Sequence, residues 1–306
     1  MLKNQALNQA LLPLTIDVIF KMFFEDPKNR DQLRHFLKAT LDFSEDELSE
    51  ITVLNSELLR GKADDKGLIV DLLLKSKSGN FKHLEMQQAQ HSYFKERIQI
   101  YNARIAGGQI NVGEDYSEVK RAISLIITGE KMFKDGGEYH ETIAMRRENG
   151  ENFTDVQEIN IFDLSKLKNE KSRSCPKYLW LSLINTKTWE ELELLAKESE
   201  EMEQAAEKLI VISQDEEARA RALSRANSEY ATKLHERGIR EEVRKEERLR
   251  MDELMQKAEA EKDELVQKAE ADKVESARKM LKDNLPIKII ERYTGLSAEE
   301  IKQLQQ

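Results

Sequence analysis

In this 306-residue chain, Asp71, Glu85 and Gln87 have the types and spacing that chemistry can use. Glu85 and Gln87 stand two apart in FKHLEMQQ, so on a strand they share one side while Leu84 and Met86 share the other. Asp71 lies in the run KGLIVDLLL, and SKSGN (residues 76–80) between the two runs supplies the Gly-bearing turn of a hairpin. With the turn centred near Ser78 and Gly79, Asp71 pairs with Glu85 or its neighbours, and two carboxylates and an amide meet on one patch. A carboxylate flanked by Ile69, Val70, Leu72 and Leu73 is costly to bury alone, so it needs water, a proton or a cation. Oxygen donors of this kind suit a hard divalent cation such as Mg2+. Spacing alone favours the plainer reading, an edge strand whose Asp and Glu face solvent.

The elements that must position these residues are of mixed type. DVIFKMFF (17–24) and RDQLRHFLKATL (30–41) carry apolar residues at helical spacing, with Phe20, Phe23, Phe36, Leu37 and Leu41 as core contacts. An acidic turn at Ser44–Glu50 leads to a strand, ITVLNSEL, and then to the hairpin. A helix from His91 to Ala106 follows, and ISLIIT (123–128) is apolar enough for a central strand. The first half is therefore α/β.

The second half follows different rules. Between Pro176 and Pro286 there is no proline and one glycine, Gly238. Residues 190–279 hold 26 acidic and 18 basic side chains, so this segment carries −8 of the net −9, and the overall acidity does not exclude a nucleic-acid partner. Tyr178–Leu195 contains both tryptophans and packs on the first half. Leu192, Leu195, Met202, Ala206 and Leu209 form one helix face, and Ser213 with Glu216 matches a capping box opening the next helix of an antiparallel pair. DELMQKAEAEK (252–262) and DELVQKAEADK (263–273) repeat at eleven residues, which keeps Leu254, Ala258, Leu265 and Ala269 on one face of a nearly straight helix. That face reads either as a homodimeric coiled coil or as a charged spacer. Ala277–Asp283, a helix after Pro286, Gly295 at its end and a capping box at Ser297 and Glu300 complete a small helix-turn-helix-like element. Its last helix, AEEIKQLQQ, is poor in arginine, which favours protein contact over base reading.

One cysteine, Cys175, excludes an internal disulfide, and with five histidines it excludes a zinc-finger framework. No apolar run reaches membrane-span length, and MLKNQALNQALLPL lacks a secretory apolar core, so a cytoplasmic protein without a membrane or small-molecule partner is expected.

Taken in order, several segments resemble the recombination-promoting nuclease and transposase family of the PD-(D/E)XK superfamily. They are DVIFKMFF, FLKATL (36–41), Asn55-Ser56-Glu57, Lys66 to Asp71, LEMQ (84–87), FKERIQIY (94–101) and TGLSAEEI (294–301). The resemblance implies a restriction-endonuclease-like α/β core with a mixed sheet, followed by a long helical region. It divides the chain into a core with a helical extension (1–230), a long charged helix (231–280) and the terminal element (281–306). It also implies a Mg2+-dependent (or Mn2+-dependent) endonuclease of double-stranded DNA, acting in recombination or mobile-element processing, while the eleven-residue repeat leads to the expectation of a homodimer through the C-terminal helices. Asp71 and Glu85 take the metal-ligand positions. Gln87 stands where the superfamily usually has Lys, so it orients water without supplying charge or a base. Asp17 matches a further acidic ligand position, and as a residue it reads equally as a helix N-cap, as does Thr15. Lys21, Lys66, Arg97 and Tyr101 are candidates for DNA contact. Arg97 and Tyr101 share one helical face, where an Arg stem covering a Tyr ring is an equal reading. The alternative function is a nuclease-fold DNA-binding or scaffold protein with weak or no cleavage.

Overall fold

The structure, a computed structural model, describes residues 9–41, 43–54, 71–87, 93–133, 138–167 and 175–304. It divides into two compact units, residues 1–227 and 228–306.

The first unit is built on a six-stranded mixed sheet of order β1-β2-β3-β4-β6-β5. Its strands are β1 (Thr52–Leu54), β2 (Leu72–Lys75), β3 (Phe81–Gln87), β4 (Ala122–Thr128), β5 (His140–Ala144) and β6 (Gln157–Asp163). β4 is parallel to both β3 and β6, and all seven of its residues are buried, as its nearly continuous apolar run, broken by Ser124 and Thr128, favours. β2 and β3 form the expected antiparallel hairpin, with Gly79 at φ +90° in its turn. Among the described residues, the α-helices α1 (Asp17–Glu25), α2 (Arg30–Leu41) and α3 (Glu45–Ser49) precede the hairpin. α4 (Phe94–Gly107) connects β3 to β4.

One sheet face buries Leu72, Leu74, Leu84, Met86, Leu125, Ile127 and Phe162 against the N-terminal helices and α5 (Pro176–Asn185), α6 (Trp189–Ala196) and α7 (Glu200–Gln214). Phe36 is the hinge of this core, 4.9 Å from Phe24 and 5.7 Å from Trp180, ring centre to ring centre. The expected core residues Phe20, Phe23, Phe36 and Leu37 are fully buried, and Leu41 is half-buried. The opposite sheet face lies under α4, which packs Phe94, Ile98 and Ile105 onto Leu73, Ala122, Ile126 and Ile161.

Several local expectations change. Ser44–Glu50 is a short helix, α3, because the Ser44 hydroxyl accepts from the Glu47 amide and caps it. The apolar face from Leu192 to Leu209 is cut in two: α6 ends at Ala196, and α7 starts behind Ser199, which caps it through the Met202 amide. α8 (Glu216–Lys282) is capped by Asp215, whose carboxylate accepts from the Ala218 amide at 2.7 Å. Ser213 is engaged elsewhere, accepting from the Leu12 amide at 3.1 Å. The strands β5 and β6 were not legible in the sequence.

The second unit contains α8 from Ser228 onward, α9 (Ile287–Thr294) and α10 (Ala298–Gln303). Ala277, Ile290 and Ile301 form its small core. Gly295, at φ +72°, turns the chain between α9 and α10, and the Ser297–Glu300 capping box is present. Along α8, Tyr230, Leu234, Val243, Leu254 and Leu265 are exposed. Among the described residues no helix is long and apolar enough to cross a membrane.

Candidate active site

Hairpin register brings the two principal carboxylates together. Leu72 pairs with Leu84, so the next antiparallel step sets Asp71 opposite Glu85. Asp71 lies at a bend just before β2 rather than inside a strand. Its side chain turns onto β3, where Oδ2 accepts a 2.7 Å hydrogen bond from the Met86 amide.

Burial and the neighbouring charge of Glu85, with a smaller contribution from Asp17, push the Asp71 carboxyl up to about 8. The Met86 hydrogen bond and the charge of Lys21 oppose that rise.

Side-chain alternation on β3 directs His83, Glu85 and Gln87 toward α4. Glu85 is 7% exposed. Arg97, projecting from α4, donates one guanidinium nitrogen to Glu85 Oε1 at 3.0 Å and to Gln87 Oε1 at 2.8 Å. That guanidinium also lies 5.0 Å from the Phe94 ring and 5.9 Å from the Tyr101 ring. Tyr101 is half-buried, its ring 6.0 Å from His83, and burial pushes its hydroxyl above the usual range. The two DNA-contact candidates on α4 are thus a stacked pair whose charged end reaches the acidic site.

Asp17 is placed differently from Asp71 and Glu85. Its Oδ1 accepts from the Val18 amide at 2.7 Å, and its Oδ2 lies 2.6 Å from the Arg225 guanidinium. Ile16, not Thr15 or Asp17, occupies the cap position of α1, and no side chain caps there. Lys21 forms an ion pair with Glu25 at 3.5 Å while its charge acts on Asp71. Lys66 and Glu57 lie outside the described residues.

Two residues at the site escaped the sequence reading. His83 sits two before Glu85 on the same strand face, so alternation alone could have flagged it. Arg225 has no local signal, since it reaches Asp17 from the start of α8.

The donor chemistry fits a hard divalent cation: Asp71 and Glu85 offer charged oxygens and Gln87 an amide oxygen. Among the described residues, no three His, Cys, Asp or Glu side chains form a group able to hold a metal ion. Asp17, facing Arg225, does not complete such a set.

No curated protein and no solved structure matches the chain. A family model described as PD-(D/E)XK nuclease family transposase matches residues 14–237, a span that holds the whole sheet, α4 and the candidate carboxylates. The chain therefore belongs to the PD-(D/E)XK nuclease family transposases.

Proposed function

We propose that this protein is a metal-dependent endodeoxyribonuclease that hydrolyses phosphodiester bonds in double-stranded DNA, serving recombination or mobile-element processing in the cytoplasm. The observation that carries this reading is the hairpin register that sets half-buried Asp71 opposite buried Glu85, where burial first and the Glu85 charge second push the Asp71 carboxyl up to about 8. Asp71 and Glu85 would hold the ion, Mg2+ or Mn2+, with the Gln87 amide oxygen beside them once Arg97 withdraws from Glu85 Oε1 and Gln87 Oε1. Asp17 would join only by releasing Arg225. When bound, such an ion lowers the pKa of a water and offsets charge on the scissile phosphate. Gln87 would orient such a water through its amide, acting neither as base nor as cation. Arg97, about one-third exposed at the rim, presents a permanent positive charge to a phosphate oxygen. Tyr101 holds the Arg97 stem, and Lys21 adds positive charge on the Asp71 side.

The chain pairs with a second copy through α8. Leu254 and Leu265 are exposed at equivalent positions of the eleven-residue repeat and supply the apolar seam.

A second reading, a nuclease-fold DNA-binding or scaffold protein with weak or no cleavage, is favoured by one observation. Arg97 and Arg225 already hold oxygens of Glu85, Gln87 and Asp17. Incubation with supercoiled plasmid in Mg2+, Mn2+ or EDTA separates the two readings. Nicked and linear products in either metal but not in EDTA support the nuclease. Duplex binding by fluorescence anisotropy with no product in either metal supports the scaffold.

A further inference from the structure

From the second oxygen of Glu85, the one Arg97 does not hold, a chain of buried polar groups runs across the sheet. Glu85 Oε2 lies 3.3 Å from His83 Nε2, and His83 Nδ1 lies 3.2 Å from the Ser124 hydroxyl. Asn102 of α4 donates its amide nitrogen to Ser124 Oγ at 3.0 Å. His83, Ser124 and Asn102 are each at most 1% exposed. The Leu84 and Met86 side chains, and the aromatic cluster beneath them, face the other side of the strand and take no part.

The carboxylate at the near end sets the polarity of this chain, and Asn102 orders its far end. Asn102 Nδ2 faces two main-chain carbonyls, Ala122 O at 3.0 Å and Glu158 O at 3.1 Å, which can only accept. Its Oδ1 accepts from the Gln157 amide nitrogen at 3.1 Å. The Asn102 amide is therefore fixed with nitrogen toward Ser124. The two Asn102 amide hydrogens are shared among these carbonyls and Ser124 Oγ, and the Ser124 hydroxyl keeps a hydrogen that it can donate to His83 Nδ1. Because Nε2 faces the Glu85 carboxylate, which accepts, His83 carries its hydrogen on Nε2 and donates it to Glu85 Oε2. The reverse tautomer would set an imidazole lone pair against a carboxylate oxygen in a buried site, an unfavourable contact.

We infer that His83 is a positioning residue for the metal centre: backed by Ser124 and Asn102, it holds Glu85 Oε2 through Nε2–H and keeps Oε1, on which Arg97 now rests, turned to the site. This rests on the reading of Glu85 as a metal ligand. It assigns a task to a residue that the hydrolytic step itself does not touch. Arg97 and Asn102 lie on the same helix, so α4 supports Glu85 at Oε1 through Arg97 and at Oε2 through Asn102, Ser124 and His83. Hydrogen bonds from residues behind a metal ligand typically contribute 10-fold to 100-fold in metal affinity.

Two substitutions distinguish positioning from bulk packing. His83→Gln extends an amide nitrogen to the place of Nε2, and His83→Asn reaches only to the place of Nδ1. Isothermal titration of the full chain with Mn2+ is expected to show His83→Asn binding about tenfold more weakly and His83→Gln close to wild type. Asp71→Asn is the control for the site itself and should lose binding. If His83→Asn binds as wild type does while Asp71→Asn loses binding, the role of His83 is overturned and the metal site stands. Equal losses in both His83 variants, with a matching fall in melting temperature, would mean packing alone and overturn the inference. If wild type binds no Mn2+, the metal site and the role of His83 both fall. A long-range 15N–1H spectrum of histidine-labelled protein at pH 8, assigned with His83→Gln, reads the tautomer directly: hydrogen on Nε2 is expected, and hydrogen on Nδ1 contradicts the inference.

Discussion

Arg225, near the start of a 67-residue helix, closes to 2.6 Å on Asp17, in the first turn of α1. Both side chains are partly exposed, so water screens the pair and its worth is modest. Arg225→Ala and Asp17→Ala are each expected to destabilise the protein by about 1 kcal/mol, and the double substitution by less than the sum. Urea denaturation of the four proteins measures the coupling, and strict additivity would contradict a direct pair.

The Asp71 carboxyl, raised from 3.8 to about 8, gives the metal-free protein a definite pH dependence. Between these values the folded state holds a proton that the unfolded chain releases. The resulting stability is present below about pH 4 and is lost as pH rises toward 8. In EDTA, Asp71→Asn removes the slope and should melt above wild type at pH 8 by at least about 2 °C. Equal pH slopes for the two proteins would contradict this.

Lys82 and Glu47 anchor the hairpin from the opposite sheet face. Lys82 is fully buried, 3.5 Å from Glu47 and 4.1 Å over the Phe43 ring, and burial lowers it to about 8. Burial opposes ionisation of Glu47, but hydrogen bonds from Ser76, Ser78 and Asn80, with the Lys82 charge, hold it down to about 2. Glu47→Gln strands the buried ammonium and is expected to cost about 3 kcal/mol, whereas Lys82→Met should cost far less. Thermal denaturation ranks them, and the reverse order would be evidence against the pairing.

The exposed seam of α8 predicts a concentration-dependent dimer. Leu254→Glu combined with Leu265→Glu should give monomers in sedimentation velocity while plasmid cleavage per active site is retained. A wild-type protein that stays monomeric at tens of micromolar would remove the pairing through α8.

Legibility of the fold followed the range of the interactions involved. The β2–β3 hairpin, β4 and the C-terminal caps could be read because alternation, a nearly continuous apolar run and capping residues are local signals. β5 and β6 could not: HETIA is a half-exposed edge strand, and QEINIFD mixes polar and apolar residues until tertiary pairing with β4 buries it. Ser213 has a local capping pattern, but the Leu12 amide claims its hydroxyl. At the site, Glu85 and Gln87 were visible by alternation, and Arg97 and Tyr101 by helical spacing. Arg225 was invisible because only the folded chain brings α8 to α1.

The most direct measurement is the rate of supercoiled-plasmid cleavage in Mg2+ by wild type, Asp71→Asn and Glu85→Gln, each checked for folding by circular dichroism. The site as described predicts metal-dependent cleavage by wild type and a fall below about one hundredth of that rate in each variant. Cleavage that survives both substitutions, or that persists in EDTA, would contradict it.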